Sequence, residues 1–227
     1  MEALLDSSFE VIEVVLEAGR QSDLVGRLTG SSIPFREECR EILSAERGFS
    51  FHRGVYATAV RPQLPSPTDG FLAQSSRLVV PYGLADPGNL GTVIRSAAAF
   101  GAEGIVLEAG LGADVFGAKC VRASATAVFR IPIFTVSSIA AELLRFRDAG
   151  FVSFGTSLRK RAIALSEVTP AVKSVVLLGS EEEGLPAAVE ELCDERVTIP
   201  MANEIDSLNV AATAAIAFYE LFRGPSN

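Results

Sequence analysis

The chain has 227 residues, 48% of them hydrophobic, with 20 basic and 28 acidic side chains and a formal charge of −8. That composition supports a full core, excludes a disordered chain and argues against a strongly basic nucleic-acid binder, although a local arginine patch can act inside an acidic whole. The single histidine, His52, and three distant cysteines, Cys39, Cys120 and Cys193, leave almost no material for Ser–His or Cys–His catalysis, a disulfide framework or a metal site, and they suit a reducing cytoplasm.

In chain order, residues 1–62 read as a small α/β unit of helix, strand, helix and strand. Residues 9–16 overlap the alternating strand pattern of VIEVVLE (11–17), Pro34 opens FREECREILS as a helix, and GVYATAV (54–60) reads as a strand. The prolines and glycine of RPQLPSPTDG (61–70) suit an extended linker, placed at 63–75. The N-terminus lacks the basic flank and apolar stretch of a secretory signal, and no apolar run is long enough to span a bilayer.

From 76 to 227 strands and helices alternate. Apolar strands are expected at 77–84, 104–109, 131–136, 151–157, 174–180 and 196–200. Helices are expected after Gly88, over 119–127, over 138–150 and from about Ser207 to Phe222. Continuous apolar strands separated by helices predict a parallel sheet covered on both faces, and periodicity alone gives an ordinary doubly wound α/β domain.

Three segments stand out because glycines and small polar residues follow a strand and precede small-residue helical sequence. They are DPGNLGTVIRSAAAFG (86–101), LLGSEEEGLP (177–186) and IPMANEIDSLNVAATAAIAFYE (199–220). Such turns expose backbone at the carboxyl ends of parallel strands, where pockets form. Any one alone reads equally well as turn and cap chemistry. An ordinary nucleotide-binding oxidoreductase is disfavoured, since no GxGxxG follows the first strand and no acid is placed for a ribose.

The conjunction and order of the three resemble the SpoU (TrmH-type) branch of the SPOUT RNA methyltransferases. Asn89, Gly91 and Arg95 followed by Ala97 and Phe100-Gly101 match the first motif, Gly179 to Gly184 the second, and Ile199-Pro200-Met201 with Ser207-Leu208-Asn209 the third. KCVRASA (119–125) resembles a further family stretch, with Thr126 where glycine is usual. Glu182 and Asn203 also replace usual glycines, and Ala211 a usual serine. Glutamate at a position needing positive φ would be strained, whereas asparagine tolerates the left-handed conformation. FHRGVYA (51–57) is similar to the element closing the family's L30e-like RNA-binding domain, with Arg53 in place of glutamine.

The resemblance implies a C-terminal α/β knot, a deep trefoil with a parallel sheet flanked by helices, behind a small N-terminal L30e-like α/β domain. It implies a homodimer joined through the knotted domain. It implies methyl transfer from S-adenosyl-L-methionine to a ribose 2′-hydroxyl of RNA, ribosomal RNA before tRNA, with a non-catalytic RNA binder of the same fold as the alternative. The implied catalytic residues are Arg95, Asn89, Glu181 and Asn209. The implied cofactor contacts are Leu178, Gly179, Ser180, Gly184, Ile199, Met201, Ser207, Leu208 and Asn209. Arg53 and Arg122 are implied RNA contacts, while Lys119 reads as phosphate contact or solvated helix face. Because arginine keeps its proton in proteins, Arg95 as a literal base competes with Arg95 as a clamp on an RNA phosphate that takes the proton.

Overall fold

The computed structural model describes residues 1–20, 22–47, 54–159, 162–203 and 206–222. The chain divides into two compact units, Met1–Gln63 and Leu64–Asn227.

The first unit runs α1 (Glu2–Leu5), β1 (Val11–Glu17), α2 (Ser22–Thr29), β2 (Phe35–Glu38), α3 (Arg40–Arg47) and β3 (Val55–Ala59). Strand β1 is central, parallel to β2 and antiparallel to β3. Its alternation buries Val14 and Leu16 against Leu24 and Leu28 of α2, and Val15 with Leu43 of α3. Residues 35–38, expected to begin a helix, are a strand instead. Val14 N donates to the Pro34 carbonyl at 3.0 Å and Val14 pairs with Phe35. The helix starts only at Arg40, because ladder pairing with β1 outweighs the weak local helical preference of FREE. His52 and Arg53 lie outside the described residues.

The second unit opens with α4 (Asp69–Gln74), inside the stretch expected to be an extended linker. Thr68 caps it by accepting from Phe71 N at 3.1 Å, and its Leu72 is buried. Upstream, Thr135 N donates to the Pro65 carbonyl at 2.9 Å, so this segment lies against the edge strand of the sheet.

There follow β4 (Arg77–Pro81), α5 (Pro87–Ala99), β5 (Gly104–Glu108), α6 (Ala118–Ala123), β6 (Ile133–Val136), α7 (Ile139–Asp148), β7 (Val152–Thr156), β8 (Ile163–Ala164), β9 (Ser174–Leu178), α8 (Ala187–Glu190), β10 (Glu195–Thr198) and α9 (Val210–Leu221). The seven strands form one parallel sheet in the order β6-β5-β4-β9-β7-β10-β8.

Period-two alternation splits the core into two layers. Val79, Ile105, Val176 and Leu178 face α5 and α9, whereas Leu78, Val106, Val175 and Leu177 face α7 and α8. Burial on both faces is why these strands read as uninterrupted apolar runs. No described helix is long and apolar enough to cross a membrane.

Candidate active site

Strand β4 delivers the chain to Asp86, the N-cap of α5. Its Oδ1 accepts from Asn89 N at 2.8 Å and its Oδ2 pairs with Lys119 Nζ. The Lys119 ammonium, then the Asn89 amide, hold the Asp86 carboxyl below the usual aspartate range. Lys119, read from the sequence as a phosphate contact or a solvated helix face, is paired with Asp86.

Motif two begins where β9 ends. Ser180 and Gly184 exchange backbone hydrogen bonds, Ser180 N to Gly184 O at 3.2 Å and Gly184 N to Ser180 O at 3.1 Å, closing the loop on itself. A Cβ at Gly179 would collide with the backbone of Gly184 and Leu185, so only glycine permits this closure. Positive φ in the loop falls on Gly184, at 69°, and not on Glu182, so the strain anticipated at Glu182 is absent.

Motif three leaves β10 and reaches α9 through Asn203, whose φ of 57° is the left-handed conformation asparagine tolerates. Asn209 caps α9, its Oδ1 accepting from Ala211 N at 2.9 Å.

These elements bring three of the four expected catalytic side chains together. Asn209 Nδ2 donates to Asn89 Oδ1 at 3.1 Å, and Asn89 Nδ2 donates to Glu181 Oε1 at 2.8 Å. Arg95 is not part of that network. It lies six residues beyond Asn89 on α5, about 9 Å along the axis. It is exposed and has no hydrogen-bond or ion-pair partner among the described residues. Arg122, in the last turn of α6, is exposed too.

A cavity of about 520 Å³, within the range of small-molecule sites, opens beside the network. Of the expected cofactor contacts, Gly179, Ser180, Gly184, Ile199 and Met201 line it, as do Ser207, Leu208 and Asn209. Leu178 does not: it is fully buried, and its carbonyl accepts from Tyr82 N at 2.8 Å. Glu181 lines the cavity, while Asn89 and Arg95 stand outside its wall.

One wall comes from residues that carry no motif. Ser157 and Arg159 follow β7, and Glu190 ends α8. Ser157 and Arg159 are 33 and 31 positions from Glu190 in sequence, so only tertiary contacts assemble the three. Cys120 and Cys193 are buried, and burial pushes both thiols up to about 12, which makes them inert packing groups.

A parallel α/β domain whose glycine-rich strand ends close around a cavity of this size, with a polar triad at its rim, has the build of a small-molecule site at the carboxyl ends of its strands. The chain belongs to the SpoU rRNA Methylase family, whose model matches residues 76–219. It is 32% identical to an uncharacterized tRNA/rRNA methyltransferase of Mycobacterium tuberculosis over 98% of this chain and 78% of that one. It superposes on the AdoMet-bound rRNA methyltransferase of Sinorhizobium meliloti with a TM-score of 0.81 at 27% identity, covering 98% of this chain and 85% of that one. A solved RNA 2′-O ribose methyltransferase matches with a TM-score of 0.74 at 27% identity, covering 98% and 84%.

Proposed function

We propose that this protein transfers a methyl group from S-adenosyl-L-methionine to a ribose 2′-hydroxyl of RNA, with ribosomal RNA as substrate. The observation that carries the reading is the Asn209–Asn89–Glu181 chain at the rim of the cavity. The cavity suits the cofactor on three counts. Its floor is backbone at Gly179, where a side chain cannot fit. Its walls include apolar Val197, Ile199 and Val210 for an adenine ring. Its carboxylates, Glu181, Glu182, Glu183 and Asp206 among them, favour a cationic ligand.

When bound, S-adenosylmethionine supplies an electrophilic methyl on a sulfonium centre. The chain's own residues do the rest. Asn209, held as the cap of α9, orients Asn89, and Asn89 fixes the Glu181 carboxylate at the rim. Arg95, which has no partner among the described residues, engages the RNA at the target nucleotide, clamping the adjoining phosphate so that the hydroxyl proton has an acceptor. Arg122 and Arg130, both exposed, extend a basic surface along segments that pack on α5 and offset the chain's acidic balance locally.

Ribose specificity is supported by the likeness to the 2′-O ribose enzyme. The rRNA preference is supported by the S. meliloti likeness, which spans the N-terminal unit as well. That unit, the L30e-like domain of this reading, binds substrate. A trefoil knot is supported by the way the chain returns β9 between β4 and β7, and β10 between β7 and β8. A homodimer is supported by an exposed stripe on α9, Ala212, Ile216 and Tyr219, spaced as one helical face.

The test is transfer of labelled methyl from S-adenosylmethionine to total rRNA and, separately, total tRNA, with mapping of 2′-O-methylated positions. One modified rRNA site is expected. Label in tRNA alone would overturn the substrate, and base methylation would overturn the ribose chemistry.

A further inference from the structure

Glu190 is a buried carboxylate in the cofactor cavity that the motifs do not account for. Its side chain is only 3% exposed, yet it lines the cavity. Its Oε1 accepts from the Ser157 hydroxyl at 2.6 Å, and its Oε2 is paired with Arg159 Nε at 3.1 Å. Ser157 Oγ accepts in turn from Arg159 N at 3.1 Å, so the three residues hold one another.

A carboxylate offers about four lone-pair positions. Among the described residues, side-chain contacts occupy one on each oxygen, which leaves acceptor capacity on both. The cavity lining also includes apolar Leu165, Val197 and Ala217, and a buried carboxylate is stable only when paired and hydrogen-bonded, as it is here by Arg159 and Ser157.

Charge separates Glu190 from the other acids of the cavity. Arg159 is the one basic side chain among the described lining residues, and it is paired with Glu190. The pair is neutral overall, so it does not suit a cation. A carboxylate with acceptor capacity on both oxygens matches neutral donors, and a vicinal diol donates two hydrogen bonds at matching spacing. Carboxylates recognise ribose hydroxyls in nucleotide sites by this chemistry.

We infer that Glu190, oriented by Ser157 and Arg159, accepts both hydroxyls of the cofactor's adenosine ribose and so selects a ribonucleoside cofactor. The inference rests on S-adenosylmethionine being the ligand of this cavity.

Calorimetric titration of the full chain tests it, with S-adenosylhomocysteine, adenosine and 2′,3′-dideoxyadenosine as probes. Wild type binds adenosine at least about tenfold tighter than the dideoxy compound. Glu190→Gln, which conserves size, brings the two within about threefold by weakening adenosine alone. Ser157→Ala, which removes an orienting donor and leaves the carboxylate, narrows the ratio to an intermediate value. Unchanged discrimination in a folded Glu190→Gln protein overturns the inference, as does an equal loss for both nucleosides. If Glu190→Gln does not fold, Ser157→Ala decides, and wild-type discrimination there overturns the inference. Failure of wild type to bind S-adenosylhomocysteine overturns the cofactor reading itself, a result distinct from binding without diol selectivity.

Discussion

Asn89 Nδ2 lies 2.8 Å from Glu181 Oε1, although 92 positions separate the two residues. Asn89 starts the helix after β4, Glu181 follows β9, and those strands are neighbours in the sheet. The contact is the middle of a one-way chain, since Asn209 donates to Asn89 and Asn89 donates to Glu181. Donors aligned in one direction polarise one another, and the final acceptor is a carboxylate at the cavity rim. One side chain from each motif is thereby locked to the next.

Replacing Asn89 removes both links at once. Asn89→Ala is expected to lower the methyl-transfer rate by at least about 100-fold, because orientation of a reacting group is worth that much. Folding should persist, since the Asp86 cap uses the Asn89 backbone and survives the change. Asn89→Asp sets a second carboxylate against Glu181, so its residual activity should recover on acidification while that of Asn89→Ala does not. Single-turnover rates across pH check both, and wild-type rates in Asn89→Ala would remove the triad from the mechanism.

Arg95 offers a cleaner separation of function from folding. It is exposed and pairs with nothing among the described residues, and alanine is at least as good a helix former. Arg95→Ala should therefore keep the melting temperature and the affinity for S-adenosylhomocysteine while methylation collapses by about 100-fold or more. Measuring transfer and cofactor binding on the same preparation decides it: retained transfer would leave Arg95 without the proposed role.

The second unit was legible because its strands are buried on both faces. RLVVP and SVVLL lack any polar interruption, and the three glycine-rich turns sit at strand ends. Phe35–Glu38 was not legible, since Pro34 and the acidic run suggest a helix and only pairing with Val14 to Glu17 makes it a strand. The polar wall of Ser157, Arg159 and Glu190 carried no signal, because no local spacing reveals which loop a buried acid meets. Leu178 differs from its motif neighbours: the alternation of β9 turns its side chain into the core, so it does not line the cavity that Gly179 and Ser180 line.

Gly179 and Glu182 make opposite predictions within one loop. Gly179→Ala drives a methyl into backbone atoms of Gly184 and Leu185, which cannot swing aside as the end of a flexible side chain could. Overpacking of this kind costs about 3 kcal/mol, and S-adenosylhomocysteine binding should be lost with it. Glu182 has no positive φ, so Glu182→Gly gains no relief of strain and leaves stability and affinity near wild type. Thermal denaturation and calorimetry of the two variants check the pair, and a marked stabilisation by Glu182→Gly would contradict the loop geometry.

Asp194 sets an acid limb on stability. Burial pushes its carboxyl up, but the Ser153 hydroxyl and amide together with Arg147 outweigh that and hold it below the usual aspartate value. A carboxyl depressed by folding stabilises fully above its unfolded pKa of about 3.9, and that contribution is lost as pH falls through the lower folded value. Asp194→Asn should thus be less stable than wild type at neutral pH, and the difference should shrink as pH drops below about 4. Urea midpoints from pH 7 to pH 2.5 check this, and a constant gap would show that the charge is immaterial.

Thr126 provides a stabilising change away from the cavity. Its φ is 73° and that of Ala125 is 48°, two consecutive left-handed residues between α6 and the short 3₁₀ turn Ala127–Phe129. A β-branched side chain in that region is strained by roughly 1–3 kcal/mol. Glycine adopts it freely but loses more chain entropy on folding, about 0.5–1 kcal/mol. The Thr126 side chain makes no cap hydrogen bond that the change would remove. Thr126→Gly should therefore raise stability by about 1 kcal/mol, a gain of roughly 2–4 °C for a chain of this size. Because the backbone conformation stays the same, methyl transfer should be unaffected. A lower melting temperature would mean that the threonine contributes packing worth more than its strain.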